Sequence, residues 1–231
     1  MKLSPILTRS KSKIEQWWKH SRHYQAPLDP YRIIWIDPSL VKDREKKVIE
    51  KSERHLSHVI GGDWDQNQIP FKRRTLFQSM KRRYLHDTPW SDTKHYANVL
   101  QRINEGESTW HNCSSKEELD ERCEFIDTLY NSISESGYKT HHEMRAIPPR
   151  VPLEIKVGVG RDGDYYYVNG KHRLSIAKIL KLDAIPVHVM LRHSQWQTVR
   201  DEIVTTWNGE EKLSEKAKTY LTHPDIRYLR I

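Results

Sequence analysis

Apolar and polar positions alternate most clearly between residues 151 and 193. Apolar side chains occupy every second position at the start of this stretch, namely Val151, Leu153, Ile155, Val157 and Val159. This spacing predicts a half-buried strand. The Asp162-Gly163 pair favours a tight hairpin turn, and the aromatic run from Tyr165 to Val168 predicts the returning strand. A helix should follow Gly170, and a third strand should run from 185 to 189.

Helical periodicity dominates the middle and the end of the chain. The spacing of apolar residues predicts helices over 71–85, 90–103, 115–136 and 194–207. Ser115 with Glu118, and Ser194 with Gln197, have capping-box spacing at two of the predicted helix starts. Pro186 removes a backbone donor from the third strand, which predicts an edge position in the sheet.

These elements predict an α+β protein with a small mixed sheet. Residues 1–30 would form a basic N-terminal extension, and 31–193 the main domain. A largely helical insertion from about 66 to 137 would interrupt that domain. Residues 194–231 would add C-terminal helices packed on the core.

Composition narrows the classes of partner and compartment. The 231 residues carry a formal net charge of +8, which favours a nucleotide, a nucleic acid or another polyanion. The two cysteines, Cys113 and Cys123, exclude a disulfide framework and a four-thiolate zinc site. No signal peptide or membrane-spanning stretch is evident, so we expect a cytoplasmic protein.

The strongest chemical signal is the loop of residues 169–173. Asn169, Gly170, Lys171, His172 and Arg173 combine a glycine, two cations and a histidine at a predicted helix start. Free backbone N–H groups and the helix dipole favour an anion at such a position, and arginine can bind phosphate oxygens bidentately. The alternative is a glycine-led turn whose basic residues are only solvated.

Strand, Asp-Gly turn and YYYVNGKHRLSIA together resemble the core of the ParB/sulfiredoxin-like superfamily. Gly170, His172 and Arg173 match the family's G-x-H-R motif, whose loop binds nucleotide phosphates. The segments 34–41 and 126–137 resemble the family's first strand and the helix before its core strand. The resemblance implies a ParB/sulfiredoxin-like sheet that binds ATP or CTP, with phosphotransferase or NTPase activity as the expected reaction. The chain also resembles a group of archaeal proteins, a likeness that implies no activity.

The chain departs from this family at informative positions. Lys171 stands where sulfiredoxin has its catalytic cysteine, which argues against sulfinic acid reduction. The DNA-binding helix-turn-helix domain of chromosome-partitioning members is not recognisable. A non-catalytic, ParB-like DNA- or RNA-binding protein is the alternative function, and a nuclease lacks a residue signature here.

Three carboxylates are candidates for supporting chemistry. Asp63 and Asp65 flank Trp64 after two glycines and could hold Mg²⁺ beside nucleotide phosphates; a turn with a buried Trp64 is the alternative. Glu143 lies where kinase-like members of the family have a general base, and an ordinary surface carboxylate is its alternative. His172 is the second catalytic candidate, as a donor to a phosphate oxygen or as a brace for the loop.

The helix predicted over 71–85 carries six basic residues, which makes it the candidate nucleic-acid surface. At about 100° per residue they do not form one stripe. They flank an apolar face instead, as in a packed helix with snorkelling side chains.

Overall fold

A computed structural model of the chain describes residues 21–44, 57–66, 68–145, 153–206 and 212–230. These residues form one mixed sheet surrounded by helices, which confirms the predicted mixture of helices and a mixed sheet. The strands are β1 (Ile33–Ile36), β2 (Val41–Arg44), β3 (His58–Ile60), β4 (Gln68–Ile69), β5 (Ile155–Val159), β6 (Tyr165–Asn169) and β7 (Ile185–His193). Their order is β1-β7-β5-β6-β2-β4, and β3 pairs with the second half of β7.

Eight helices lie within the described ranges. They are α1 (Thr75–His86), α2 (Lys94–Asn104), α3 (Lys116–Ser136), α4 (His141–Arg145), α5 (Lys171–Ile179), α6 (Ser194–Thr205), α7 (Glu215–Thr219) and α8 (Pro224–Arg227). Helix α5 separates two apolar cores. Leu174 and Ala177 face the sheet, while Ile176 and Ile179 pack among α1, α2 and α3. The helical region between β4 and β5 is therefore joined to the sheet through α5.

The β5–β6 hairpin forms as the sequence predicts. Gly160 N donates to Asp164 O at 2.9 Å, and Gly163 takes the left-handed conformation that the tight turn requires. The chain then enters α5 at Gly170. The hairpin turn and the 169–173 loop consequently lie at opposite ends of β6.

The predicted edge position of Pro186 is wrong, because β7 is a central strand that pairs with β1, β3 and β5. The proline is tolerated because it is the second residue of the strand. The ladder with β5 starts at Val187, so among the described residues Pro186 pairs with β1 alone.

The two predicted capping boxes have different outcomes. Ser115 caps α3 by accepting a hydrogen bond from Glu118 N, and Gly137 ends that helix with a φ of 73°. The Glu118 carboxylate accepts from Ser114 N and Ser114 Oγ. At α6 the prediction is wrong: the N-cap is His193, whose Nδ1 accepts from Gln195 N.

A short connection forces the sheet to curl. Strands β1 and β2 lie four strand spacings apart, about 19 Å in a flat sheet, yet only the 3₁₀ turn Pro38–Leu40 and its flanking residue Asp37 join them. A turn of that kind rises about 2 Å per residue, so its three residues span only about 6 Å and the whole connection falls short of the flat-sheet distance. The two strands must therefore approach each other over the face covered by α5.

The remaining predictions concern the two termini and the cysteines. The segment from residue 21 to β1 packs on α6, where Asp201 accepts a hydrogen bond from Ala26 N; residues 1–20 of the predicted extension lie outside the described ranges. Helix α6 packs on β7 and β3. Cys113 and Cys123 are both buried and free. None of the helices in the described part of the chain has the length and apolarity needed to cross a bilayer.

Candidate functional site

The entry to α5 depends on Gly170. This residue is left-handed, with φ 91° and ψ 34°. A Cβ atom there would meet Ile155 Cγ1 at 3.1 Å and Ile155 Cα at 3.2 Å. Glycine is thus required both by the backbone conformation and by the close approach of β5. The N-cap residue, as a glycine, has no side chain to bond the nine-residue helix that follows, and the N-terminus of a helix favours an anion.

Arg173 is engaged inside the protein. Its guanidinium donates to Glu154 Oε2 at 3.2 Å and to Leu153 O at 2.5 Å, and it lies 3.0 Å from His141 Nδ1. Glu154 is buried and also accepts from His141 N at 2.6 Å. The predicted phosphate-binding arginine therefore has a carboxylate partner and fastens α4 and the start of β5 to the loop.

Glu143 belongs to a local cap on α4. Its Oε2 accepts from Thr140 N at 2.6 Å and from Thr140 Oγ1 at 2.8 Å, while Glu143 N donates back to Thr140 Oγ1. These bonds, the backbone one foremost, lower the pKa of Glu143. A carboxylate with a lowered pKa and two bonds to its own helix start is a weak base.

His172 points away from Glu143 and into the helical core. Its Nε2 accepts a hydrogen bond from Trp110 Nε1 at 3.1 Å, which leaves the proton of the neutral ring on Nδ1. Burial, followed by the charge of Lys171, lowers the pKa of His172 to about 2. The ring is a neutral brace between the loop and the helical region. No contact among the described residues joins it to Glu143.

The other side of the loop faces a group that we call the insertion cluster, defined as His95 of α2, Trp110 and His111 of the following loop, and Arg122 of α3. The His95 and Trp110 rings lie 4.7 Å apart, and the His111 ring lies 5.3 Å from that of His172. Burial lowers the pKa of His95 to about 4, with a further contribution from Lys171. The cluster thus places cationic and neutral donors beside the start of α5.

The loop of this cluster has an unusual backbone. Trp110, His111 and Asn112 all have positive φ, at 42°, 71° and 68°. The ends of the loop are tied by the bond from Thr109 N to Cys113 O at 2.9 Å. Consecutive left-handed non-glycine residues cost free energy and persist only where the surroundings impose them. Here the backbone holds Trp110 on His172 and presents His111 to solvent.

Asp63 and Asp65 lie at the other end of the sheet from the loop. Asp65 is buried and accepts from Arg161 N at 2.7 Å and from Arg161 Nη2 at 2.8 Å. Although burial alone would raise the pKa of Asp65, these bonds hold it below its usual value. Asp63 is 83% exposed and shares the Arg161 guanidinium. The structure does not bring either aspartate to Gly170, since the five residues of β6 separate the two sites by roughly 15 Å.

The predicted Mg²⁺ ligands therefore do not adjoin the predicted phosphate loop. In the described residues, no group of three or more His, Cys, Asp or Glu side chains could hold a metal ion. Trp64 is buried against Tyr166, as the alternative of a structural turn requires. An Mg²⁺ ion carried by a nucleotide would have to bind to the nucleotide's own oxygens at the loop.

Two of the six basic residues over 72–83 are used within the fold. Arg74 pairs with Asp43, and Arg83 donates to Asp127 at 2.8 Å. Both arginines flank the apolar face of α1, as the snorkelling interpretation requires. The structure thus gives this helix a packing role, and Lys72, Arg73, Lys81 and Arg82 are exposed.

Lys178 was not predicted as a special residue. Burial lowers its pKa to about 8, and its Nζ donates to Ser39 O at 3.2 Å. It lies seven residues along α5 from Lys171, about 10 Å away. Lys178 is therefore separate from the loop and holds the β1–β2 turn on the helix.

Glu154, His95 and Arg122 were not predicted from the sequence. Glu154 interrupts an otherwise apolar strand start, which is a usable signal for a buried partner of Arg173. His95 and Arg122 belong to ordinary amphipathic helices, and only tertiary packing brings them to the loop. No family model, no curated protein and no solved structure matches the chain.

Proposed function

We propose that the chain binds a nucleotide through its phosphates at the start of α5, in a ParB/sulfiredoxin-like domain. The observation that carries the proposal is the N-terminus of α5 behind the left-handed Gly170, an N-cap without a side chain. The Lys171 side chain adds positive charge at the same point, and the partial charge of the helix adds to it. The resemblance of the 169–173 loop to the G-x-H-R motif supports the same ligand class.

ATP and CTP are the expected ligands, with Mg²⁺ bound to their phosphate oxygens. Phosphoryl transfer needs mainly positioned cations and one base. Lys171 and the helix N-terminus meet the first need. Because Glu143 caps its own helix and His172 is a neutral brace, neither supports an acid–base step. The proposed function is therefore nucleotide binding without catalysis of phosphoryl transfer.

Isothermal titration of the full chain with ATP and CTP, each with and without Mg²⁺, tests the proposal. Wild-type protein should bind at least one of them with a micromolar Kd. The variant Gly170→Ala should bind more weakly, because its Cβ displaces the loop from β5. The control Gly106→Ala changes a left-handed glycine in open space and should leave the Kd unchanged.

The salt response separates this proposal from binding to nucleic acid. Affinity for DNA or RNA through many phosphates falls steeply with salt, whereas binding of a single nucleotide falls less. If the chain bound neither ATP nor CTP but bound a short DNA duplex at low salt, that result would refute the proposal and favour the ParB-like alternative.

A further inference from the structure

The two sides of the 169–173 loop differ in how their positive charges are neutralised. On one side, Arg173 has the buried carboxylate of Glu154. On the other side, the residues described by the structure contain no hydrogen-bond or ion-pair partner for the Arg122 side chain. Its Nε atom is buried and unpaired. The contact that orients it is the ring of Phe125, 4.8 Å below the guanidinium.

His95 repeats this observation on a second helix. Its Nε2 atom is buried and has no hydrogen-bond partner within the described ranges. The ring edge is fixed by Trp110, so the nitrogen cannot easily turn to another partner. A buried polar atom without a partner costs about 1–3 kcal/mol, and two of them in one cluster require an explanation.

The charges that lower the pKa values of the neighbouring histidines are all positive. Arg122 and Lys171 both contribute to the lowered pKa of His111, after partial burial, and both lower the pKa of His172. Burial lowers the pKa of Arg122 itself. The nearby carboxylate of Glu118 is turned to Ser114 at 2.7 Å. Positive charges are thus gathered beside the helix N-terminus, where an anion would relieve their mutual repulsion.

We infer that Arg122, rather than Arg173, is the guanidinium that grips the nucleotide's terminal phosphate, with His95 and His111 lining the same site. The inference rests on the proposed function and specifies it: the phosphates run from the start of α5 toward the insertion cluster. Arg122 would offer its free N–H groups to phosphate oxygens. The His95 Nε2 would donate to the same anion once the phosphate raises its pKa.

The site extends over two helices, which favours a polyphosphate over a single phosphate as the ligand. The helix N-terminus at Lys171 and the guanidinium of Arg122 belong to different helices packed side by side. A nucleoside triphosphate can occupy both positions, whereas inorganic phosphate can occupy one at a time. The helical region would then complete the site as well as pack against the sheet.

Titration calorimetry of Arg122→Gln and Arg122→Lys with ATP, CTP and inorganic phosphate tests the inference. Loss of a charge-assisted bidentate contact should raise the Kd for the nucleotide about 10- to 100-fold in Arg122→Gln. Arg122→Lys should recover part of the affinity, since it keeps the charge and loses the fork. The matched control is Arg102→Gln, an exposed arginine of the same region paired with Glu107, which should bind like wild type.

A second readout uses the histidines of the folded wild-type protein. Proton NMR of the His95 and His111 rings should show both pKa values rising when nucleotide is added. Unchanged nucleotide affinity in Arg122→Gln, together with unchanged histidine pKa values, would overturn the inference and leave the proposed function standing. Arg122-dependent binding of inorganic phosphate alone would keep the anion site and refute nucleotide binding. Binding of neither by wild type would overturn both.

Discussion

Two groups of cations in this protein are arranged in opposite ways. Beneath the C-terminal helices, Arg192 and Arg200 are completely buried around Asp225. Arg192 donates to both carboxylate oxygens, at 2.6 and 2.9 Å, and Trp196 Nε1 donates to Oδ2 at 2.9 Å. Around Arg122, by contrast, buried nitrogens have no acceptor within the described residues.

The difference separates charge that stabilises the fold from charge that, by our inference, would bind a ligand. The remaining donors of Arg200 reach Gln197 Oε1 at 2.6 Å and Pro27 O at 2.9 Å, so the Asp225 group is internally satisfied. Arginines buried with their partners hold elements together. Buried donors without partners weaken the free protein, and the binding of an anion recovers that loss.

The largest effect should follow from breaking the satisfied group. Asp225→Asn leaves two buried guanidinium groups facing a neutral amide, and we expect the free energy of unfolding to fall by about 3–5 kcal/mol. Urea denaturation measures it. The matched control is Asp162→Asn, which removes an exposed pair with Lys216 and should cost at most about 0.5 kcal/mol. Equal losses in the two variants would show that Asp225 is not a structural centre.

The next effect concerns the backbone at Gly170, at the start of α5. Gly170→Ala introduces a left-handed alanine whose Cβ meets Ile155 at 3.1 Å. We expect a loss of about 2–4 kcal/mol from conformation and overpacking together. Gly106→Ala has the same φ penalty without a contact and should lose about 1–2 kcal/mol. If the two variants have the same midpoint in urea, the approach of β5 to the loop is looser than the geometry shows.

Local sequence patterns predict some elements of this fold and not others. The β5–β6 hairpin and α5 could be predicted because alternation, an Asp-Gly turn and a glycine before a helix are short-range signals. The edge position predicted for Pro186 was wrong because the strand's neighbours, β1 and β3, come from more than 120 residues earlier. Periodicity describes an element and not its place in the sheet.

The candidate site follows the same rule. Gly170 and Lys171 could be identified from their order in the sequence. Glu154 leaves a local signal, as a polar residue at an apolar strand start, but the pairing of His172 with Trp110 depends on which helices pack on α5, and no local pattern encodes that. Asp63 and Asp65 were grouped with the loop by residue type alone, although β6 holds them at the opposite end of the sheet.

His172 and His95 should make the free energy of unfolding depend on pH. Burial lowers the pKa of His172 to about 2 and that of His95 to about 4, below the unfolded value of about 6.5. The stabilisation is complete above pH 6.5 and is lost as the pH falls, because the unfolded chain then binds more protons. When the pH falls from 7.5 to 5.5, each histidine should lower the free energy of unfolding by about 1.4 kcal/mol.

Urea denaturation at both pH values checks this dependence. His172→Asn and His95→Gln should each remove one histidine's share of the slope, whatever their stability at pH 7.5. Lys171, His111 and Arg122 face the same rings, but salt should change the slope little, because both native pKa values already lie well below pH 5.5. A slope that neither substitution changes would mean that other groups carry the pH dependence.

The smallest effect should come from Glu143, and it tests the two roles assigned to that residue. Glu143→Gln keeps an oxygen for Thr140 N, and glutamine is accepted in a capping box, so we expect a loss of at most about 0.5 kcal/mol. Thr140→Ala removes the other half of the cap and should cost more, about 1 kcal/mol. Nucleotide affinity should be unchanged in both variants. If Glu143→Gln instead abolished a measurable nucleotide hydrolysis while Thr140→Ala preserved it, the carboxylate would be a base and the capping bonds would be incidental.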